Sequence, residues 1–116
     1  MTSPGQCIAV ASGKGGTGKT SFTAGVGAAL ALSGPRVLCL DCDIGLRNLD
    51  LALGLSDRTL MDFSDVAQNR CSLELAAVEQ PKVPGLFLLT APARLRGRPV
   101  TETQMADLLR EVRRRF

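Results

Sequence analysis

The sequence has no histidine, no tryptophan and no tyrosine, and only 4 phenylalanines in 116 residues. Without imidazole, histidine acid–base catalysis and His–metal ligation are excluded. Long apolar runs are missing too. The longest uncharged stretch, Thr20–Pro35, is broken by Gly, Ser and Thr and falls short of a bilayer span. A buried helix accounts for it better. The first residues carry no basic segment, and the apolar run Cys7–Ala11 is too short for the core of a secretory leader. A cytoplasmic protein is therefore expected. Charge of one sign is also scarce: 14 basic residues face 11 acidic ones, a net +3. The basic residues are spread along the chain until its last positions, which argues against nucleic acid as a dedicated partner.

The 4 cysteines suit a reducing compartment and are expected to be free, buried, small side chains. Cys39 and Cys42 have C-x-x-C spacing, which elsewhere signals redox or metal chemistry. Here the pair runs along and just past an apolar strand. Residues three apart on a strand point to opposite faces, so packing is the better reading.

What is present is an ordinary globular mix, 45% hydrophobic and 22% charged, long enough for one small domain. Strand and helix patterns alternate. Cys7–Ala11 is a continuous apolar run, as in a parallel strand buried on both faces, and Arg36–Leu40 and Leu86–Thr90, apolar but for Arg36 and Thr90, read as the second and third strands. Between the first two, Phe22, Val26, Ala29 and Leu30 recur at helical spacing from Thr20 to about Ser33, and Gly34-Pro35 stops the helix. Leu60, Phe63, Val66 and Ala67 form a second helical stripe, and Leu73–Val78 a shorter one. Thr101 with Gln104 is a capping-box signature, followed by Met105, Leu108, Leu109, Val112 and Phe116 on one face. Arg110, Arg113, Arg114 and Arg115 gather near that helix's C-terminus, where cations complement the dipole. The pattern predicts an α/β domain with a mainly parallel sheet and helices on both faces. Only three strands are legible and the last helix has no strand after it, so a domain truncated after its third strand and following helix is expected.

The most constrained motif is Gly13-Lys14-Gly15-Gly16-Thr17-Gly18-Lys19-Thr20, which matches G-x-x-x-x-G-K-[ST] between a strand and a helix. Gly15, Gly16 and Gly18 allow backbone conformations in which successive N–H groups face phosphate oxygens. The helix that starts near Lys19 adds the positive end of its dipole. Lys19 supplies charge to the β- and γ-phosphates, the Thr20 hydroxyl is placed for Mg2+, and Ser21 is next in line for the α-phosphate. A nucleoside triphosphate, ATP with Mg2+, is the expected ligand. Asp41 and Asp43 leave the C-terminal end of the second strand, the edge where open α/β sheets hold ligands. Their spacing fits two readings equally: binding metal through water and orienting an attacking water, or capping turns.

Lys14, ahead of Gly15, gives the loop the form Lys-Gly-Gly-x-Gly-Lys-Thr. That form resembles the deviant Walker motif of the superclass that includes the MinD/ParA family and the nitrogenase iron protein. The run Asp41-Cys42-Asp43-Ile44-Gly45-Leu46-Arg47-Asn48-Leu49-Asp50-Leu51, with Leu53-Gly54, resembles the switch I segment of the septum-site-determining branch. The likeness continues through Asp62-Phe63, Asp65-Val66, Leu86–Pro92 and Thr101–Met105. The resemblance implies a P-loop NTPase fold, of which residues 1–116 are the N-terminal portion of a single ATPase domain. It implies that Lys14 reaches the phosphates of a partner subunit in an ATP-dependent homodimer. It makes Lys14, Lys19 and Asp43 the catalytic residues, with Asp43 positioning water, and places Asp41 near the metal with Thr20. It sets Asn48 where nucleotide state is coupled to the dimer and its activator. It implies activator and septum-inhibitor partners, and peripheral membrane attachment through a C-terminal helix that these residues do not contain. A strand of switch II, also not contained, is expected between the first and second strands. Thr17, Ser21 and Cys42 depart from the usual Val, Thr, and Ala or Phe, and Arg94, Arg96 and Arg98 replace a more acidic stretch. A ParA-like DNA-partition ATPase and a non-hydrolysing nucleotide-binding fragment are the alternatives.

Overall fold

The computed structural model describes residues 5–11, 18–43, 48–58, 61–94 and 97–116. Its elements are helix α1 (Lys19–Leu32), strand β1 (Val37–Leu40), helices α2 (Asn48–Ala52), α3 (Phe63–Ala67) and α4 (Leu73–Ala76), strands β2 (Val78–Glu79) and β3 (Leu86–Leu89), and helix α5 (Glu102–Arg115).

Strands β1 and β3 pair in parallel, with Val37 opposite Leu86 and Leu40 opposite Leu89. The short β2 adds to the far edge of β3 antiparallel, so the three-stranded sheet is mixed, in the order β1-β3-β2. Because side chains alternate along a strand, the two apolar runs feed two separate cores. Cys39, Leu86 and Leu88 face Ala31 of α1 and Leu49, Leu53 and Leu55 around α2. Leu38, Leu40 and Leu89 face Phe63 of α3, Leu73 and Ala76 of α4, and Leu108 of α5. Helices therefore cover both faces of the sheet, as expected.

Local chemistry sets the helix starts. Thr101 caps α5 by accepting from the Gln104 amide at 3.1 Å, while the Gln104 side chain accepts from the Thr101 amide at 3.0 Å. Asp62 caps α3 in the same reciprocal way with Asp65. The arginines near the end of α5 are largely engaged with neighbours. Arg110 pairs with Asp107 at 2.6 Å, Arg114 with Glu111 at 3.1 Å, and Arg115 with both Glu111 and Glu74.

Several expectations need correction. The run Cys7–Ala11 is in no strand, and Ile8 is 66% exposed. A strand of this kind needs a neighbour for its backbone groups and a layer on each face. Among the described residues it has neither, and Gly5, two residues ahead of it, is instead tied to the end of α5 by donating its amide to the Arg113 carbonyl, 2.7 Å. The buried side of α1 is also not the one chosen by side-chain size. Gly27 and Ala31 are buried and Ala24 and Ala28 pack against the core, whereas Phe22 is 60% exposed and Leu30 is exposed. Small residues spaced this way let α1 approach the sheet closely, and a Cβ at Gly27 would lie 2.6 Å from the Cys39 sulfur. Finally, Cys7 and Cys42 are exposed and Cys71 is half-buried, so burial holds for Cys39 alone; all four thiols are free. Helix α2 and strand β2 are additions to the expected elements.

Candidate functional site

The C-terminal ends of β1 and β3 and the N-terminus of α1 meet at one edge of the sheet, and the described site residues collect there. Gly18 is the N-cap of α1 with φ of 88°, a left-handed conformation that favours glycine, and no side chain caps the helix. The first turn holds no acidic residue. Its amides and the positive end of the dipole are thus directed to a point where an anion is favoured. Thr20 sits half-buried in this turn and Ser21 is exposed. Gly13, Lys14, Gly15, Gly16 and Thr17 lie outside the described residues, as does Ile44–Arg47 of the switch-like run.

Lys19, the lysine of the phosphate motif, lies 3.3 Å from the Asp43 carboxylate, with Nζ facing Oδ2. Asp41 is buried, and its two carboxylate oxygens are both used. Oδ1 accepts from the Asp43 amide at 3.0 Å, and Oδ2 accepts from the Leu49 amide at 3.4 Å. Leu49 is itself in the core against α1, so Asp41 fastens both ends of the segment between itself and α2 to the sheet. Its backbone-bonded carboxylate suits contact with a cation through water better than direct ligation, in keeping with magnesium's tendency to retain its waters. The structure therefore brings Lys19, Asp41 and Asp43 together beside an uncapped helix start, a donor and carboxylate set that fits a magnesium–polyphosphate group. Among the described residues no cluster of three or more acidic or thiol ligands could hold a metal alone. Asn48 begins α2 and is exposed.

Between the two aspartates, burial and the charges of Asp41, Asp43 and Cys7 raise the Cys42 thiol pKa, against a smaller opposing effect of Lys19. Burial alone pushes the Cys39 thiol up to about 11. Neither thiol is activated, and of the C-x-x-C pair only Cys39 is packed in the core, so the packing reading holds for that residue and not for the exposed Cys42.

Residues not anticipated for this edge are Asp62, Ser64, Asp65, Arg70 and Thr90. Asp62 forms a bridge with Thr90, immediately after β3, and Arg70 pairs with Asp65 at 2.9 Å. The Asp62-x-x-Asp65 spacing is an acidic form of the capping box and carried the signal for it. The Thr90 hydroxyl is buried with no hydrogen-bond partner among the described residues.

Comparison with known proteins places this geometry. Residues 8–114 match the model of the CobQ/CobB/MinD/ParA nucleotide binding domain. The chain is 42% identical over 109 residues to the septum site-determining protein MinD of Synechocystis, covering 94% of this chain and 41% of that protein. It is 39% identical over 113 residues to MinD of Bacillus subtilis, covering 97% and 42%. Among solved structures, the MinC:MinD cell division protein complex of Aquifex aeolicus superposes with a TM-score of 0.78 at 39% identity, over 90% of this chain and 40% of that one. The chain thus spans about two fifths of the length of the relatives it matches. No helix among the described residues is long and apolar enough to cross a membrane.

Proposed function

Because the chain belongs to the CobQ/CobB/MinD/ParA nucleotide-binding domain family and has the P-loop NTPase fold of MinD, we propose that it is the N-terminal portion of an ATPase that acts in placing the division septum. The observation that carries this reading is the meeting of Lys19, Asp41 and Asp43 at the uncapped start of α1. ATP binds at residues 13–21, with its phosphates on the loop amides and Lys19. Thr20 would ligate the magnesium that arrives with the triphosphate and Asp41 would hold it through water, and the ion would supply positive charge against that developing on the phosphates. Asp43 orients the attacking water, a positioning contribution suited to phosphoryl transfer.

Lys14 extends from the same loop to the phosphates of a second subunit, so that triphosphate occupancy favours a homodimer. The dimer is the form that binds partners, among them the septum inhibitor implied by the family resemblance; the MinD of Aquifex is itself found in a complex with MinC. Hydrolysis resets it.

Two substitutions separate the parts of this reading. Lys19→Ala should lose ATP binding by at least tenfold, measured by calorimetric titration with magnesium present. Lys14→Ala should keep ATP binding but lose ATP-dependent dimerisation in sedimentation. Dimerisation that persists in Lys14→Ala removes the trans role. ATP binding that persists in Lys19→Ala removes the site. Salt-sensitive binding of the dimer to duplex DNA would move the assignment to the DNA-partition branch.

A further inference from the structure

Asp43 carries a role assigned above, orienting water, yet its carboxylate is engaged with the ammonium that the phosphates require. Lys19 Nζ to Asp43 Oδ2 is 3.3 Å, with the lysine side chain 25% exposed and the aspartate side chain 45% exposed. The Asp43 amide is anchored on Asp41, which holds the carboxylate within reach of Lys19. A carboxylate and a polyphosphate cannot both lie against one ammonium without strong mutual repulsion.

Building on the nucleotide reading above, we propose that Asp43 is an internal competitor for the phosphate-binding lysine. Phosphate binding at Lys19 displaces Asp43, and that displacement is what delivers Asp43 to the water. One side chain thereby lowers affinity in one position and serves hydrolysis in the other. Asp41 limits how far the carboxylate travels, because its Oδ1 holds the Asp43 amide and its Oδ2 the amide of core residue Leu49. A substituted side chain at 43 that cannot pair should therefore tighten nucleotide binding even as it removes the water-positioning group.

The magnitude is modest, since both partners are partly solvated. An exposed ion pair of this kind corresponds to about a 1.5- to 5-fold change in an equilibrium constant. Asp43→Asn should bind ADP in EDTA tighter by about that factor, and Asp43→Glu should not. The pairing is tested without nucleotide by acylating the amines and measuring each lysine by mass spectrometry, which is simple because Lys14, Lys19 and Lys82 are the lysines of the sequence. Lys19 should label severalfold faster in Asp43→Asn than in the wild type, with Lys82 unchanged as internal reference. ADP should then protect Lys19 in both proteins. Equal labelling of Lys19 in the two proteins, or equal or weaker ADP binding by Asp43→Asn, would overturn the competition. Faster labelling with no ADP protection in either protein would instead overturn the nucleotide reading and leave the ion pair standing.

Discussion

Gly27 offers the sharpest test of how α1 is seated on the sheet. A β-carbon added there would lie 2.6 Å from the Cys39 sulfur, 3.4 Å from Leu86 Cδ1 and 3.9 Å from Val37 Cγ1. Replacing an interior helical glycine with alanine normally stabilises by ~0.8–1 kcal/mol. Here the sulfur must move in a core where Cys39 is only 5% exposed, and forced repacking of this kind costs ~1–3 kcal/mol. Gly27→Ala should therefore range from neutral to about 2 kcal/mol destabilising. Removing the sulfur should reverse the sign. In a Cys39→Ala background the same change should stabilise by up to ~1 kcal/mol, less whatever the 3.4 Å approach to Leu86 takes back. The coupling between the two sites is then about 1–3 kcal/mol. Urea unfolding of the four proteins followed by far-ultraviolet circular dichroism measures it; with no tryptophan in the chain, the backbone signal is the natural probe. If Gly27→Ala stabilises equally in both backgrounds, α1 does not pack on β1 through this contact and the reasoning is refuted.

The Cys39 thiol, held at about 11 by burial, makes stability fall as pH rises. The unfolded thiol ionises first, so its contribution is intact below about pH 8.5 and drains away between there and pH 11, by ~1.4 kcal/mol per unit at most. Denaturation of wild type against Cys39→Ala across pH 8–10 should show the steeper decline in the wild type, and parallel curves would disprove the burial argument. Thiol labelling under native conditions should modify Cys7 and Cys42 far faster than Cys39, given their exposure; fast labelling of Cys39 would contradict its place in the core. Thr101→Ala removes the acceptor for the Gln104 amide and should cost ~1 kcal/mol, with Thr101→Ser recovering most of it. An unchanged urea midpoint for Thr101→Ala would show that the cap contributes nothing.

Much of this was legible because the signals are local. The phosphate motif combines glycines that permit special backbone angles with a lysine and hydroxyl at fixed offsets, and Gly18 does adopt the left-handed conformation at the helix start. Val37–Leu40 and Leu86–Leu89 lie within the apolar runs that predicted them, and Thr101 and Gln104 form the expected reciprocal cap. Asp41 and Asp43 follow β1 directly, so their place at the sheet edge was implied by sequence order. Helix α2, Asn48–Ala52, escaped notice because the run that follows Asp41 reads as a loop leaving β1.

The residues by themselves determined the helix starts, the apolar runs that become β1 and β3 and the chemistry offered at the sheet edge, since each depends on neighbours within a few positions. Tertiary structure decided which side of α1 is buried, because that depends on how closely small residues let it approach Cys39. It decided that Cys7–Ala11 is in no strand, because an apolar run becomes a strand only where another strand and two covering layers are in reach. It also decided that Lys19 meets Asp43, a contact between groups 24 positions apart in the sequence that no local pattern encodes and that only the packing of α1 beside the end of β1 brings about.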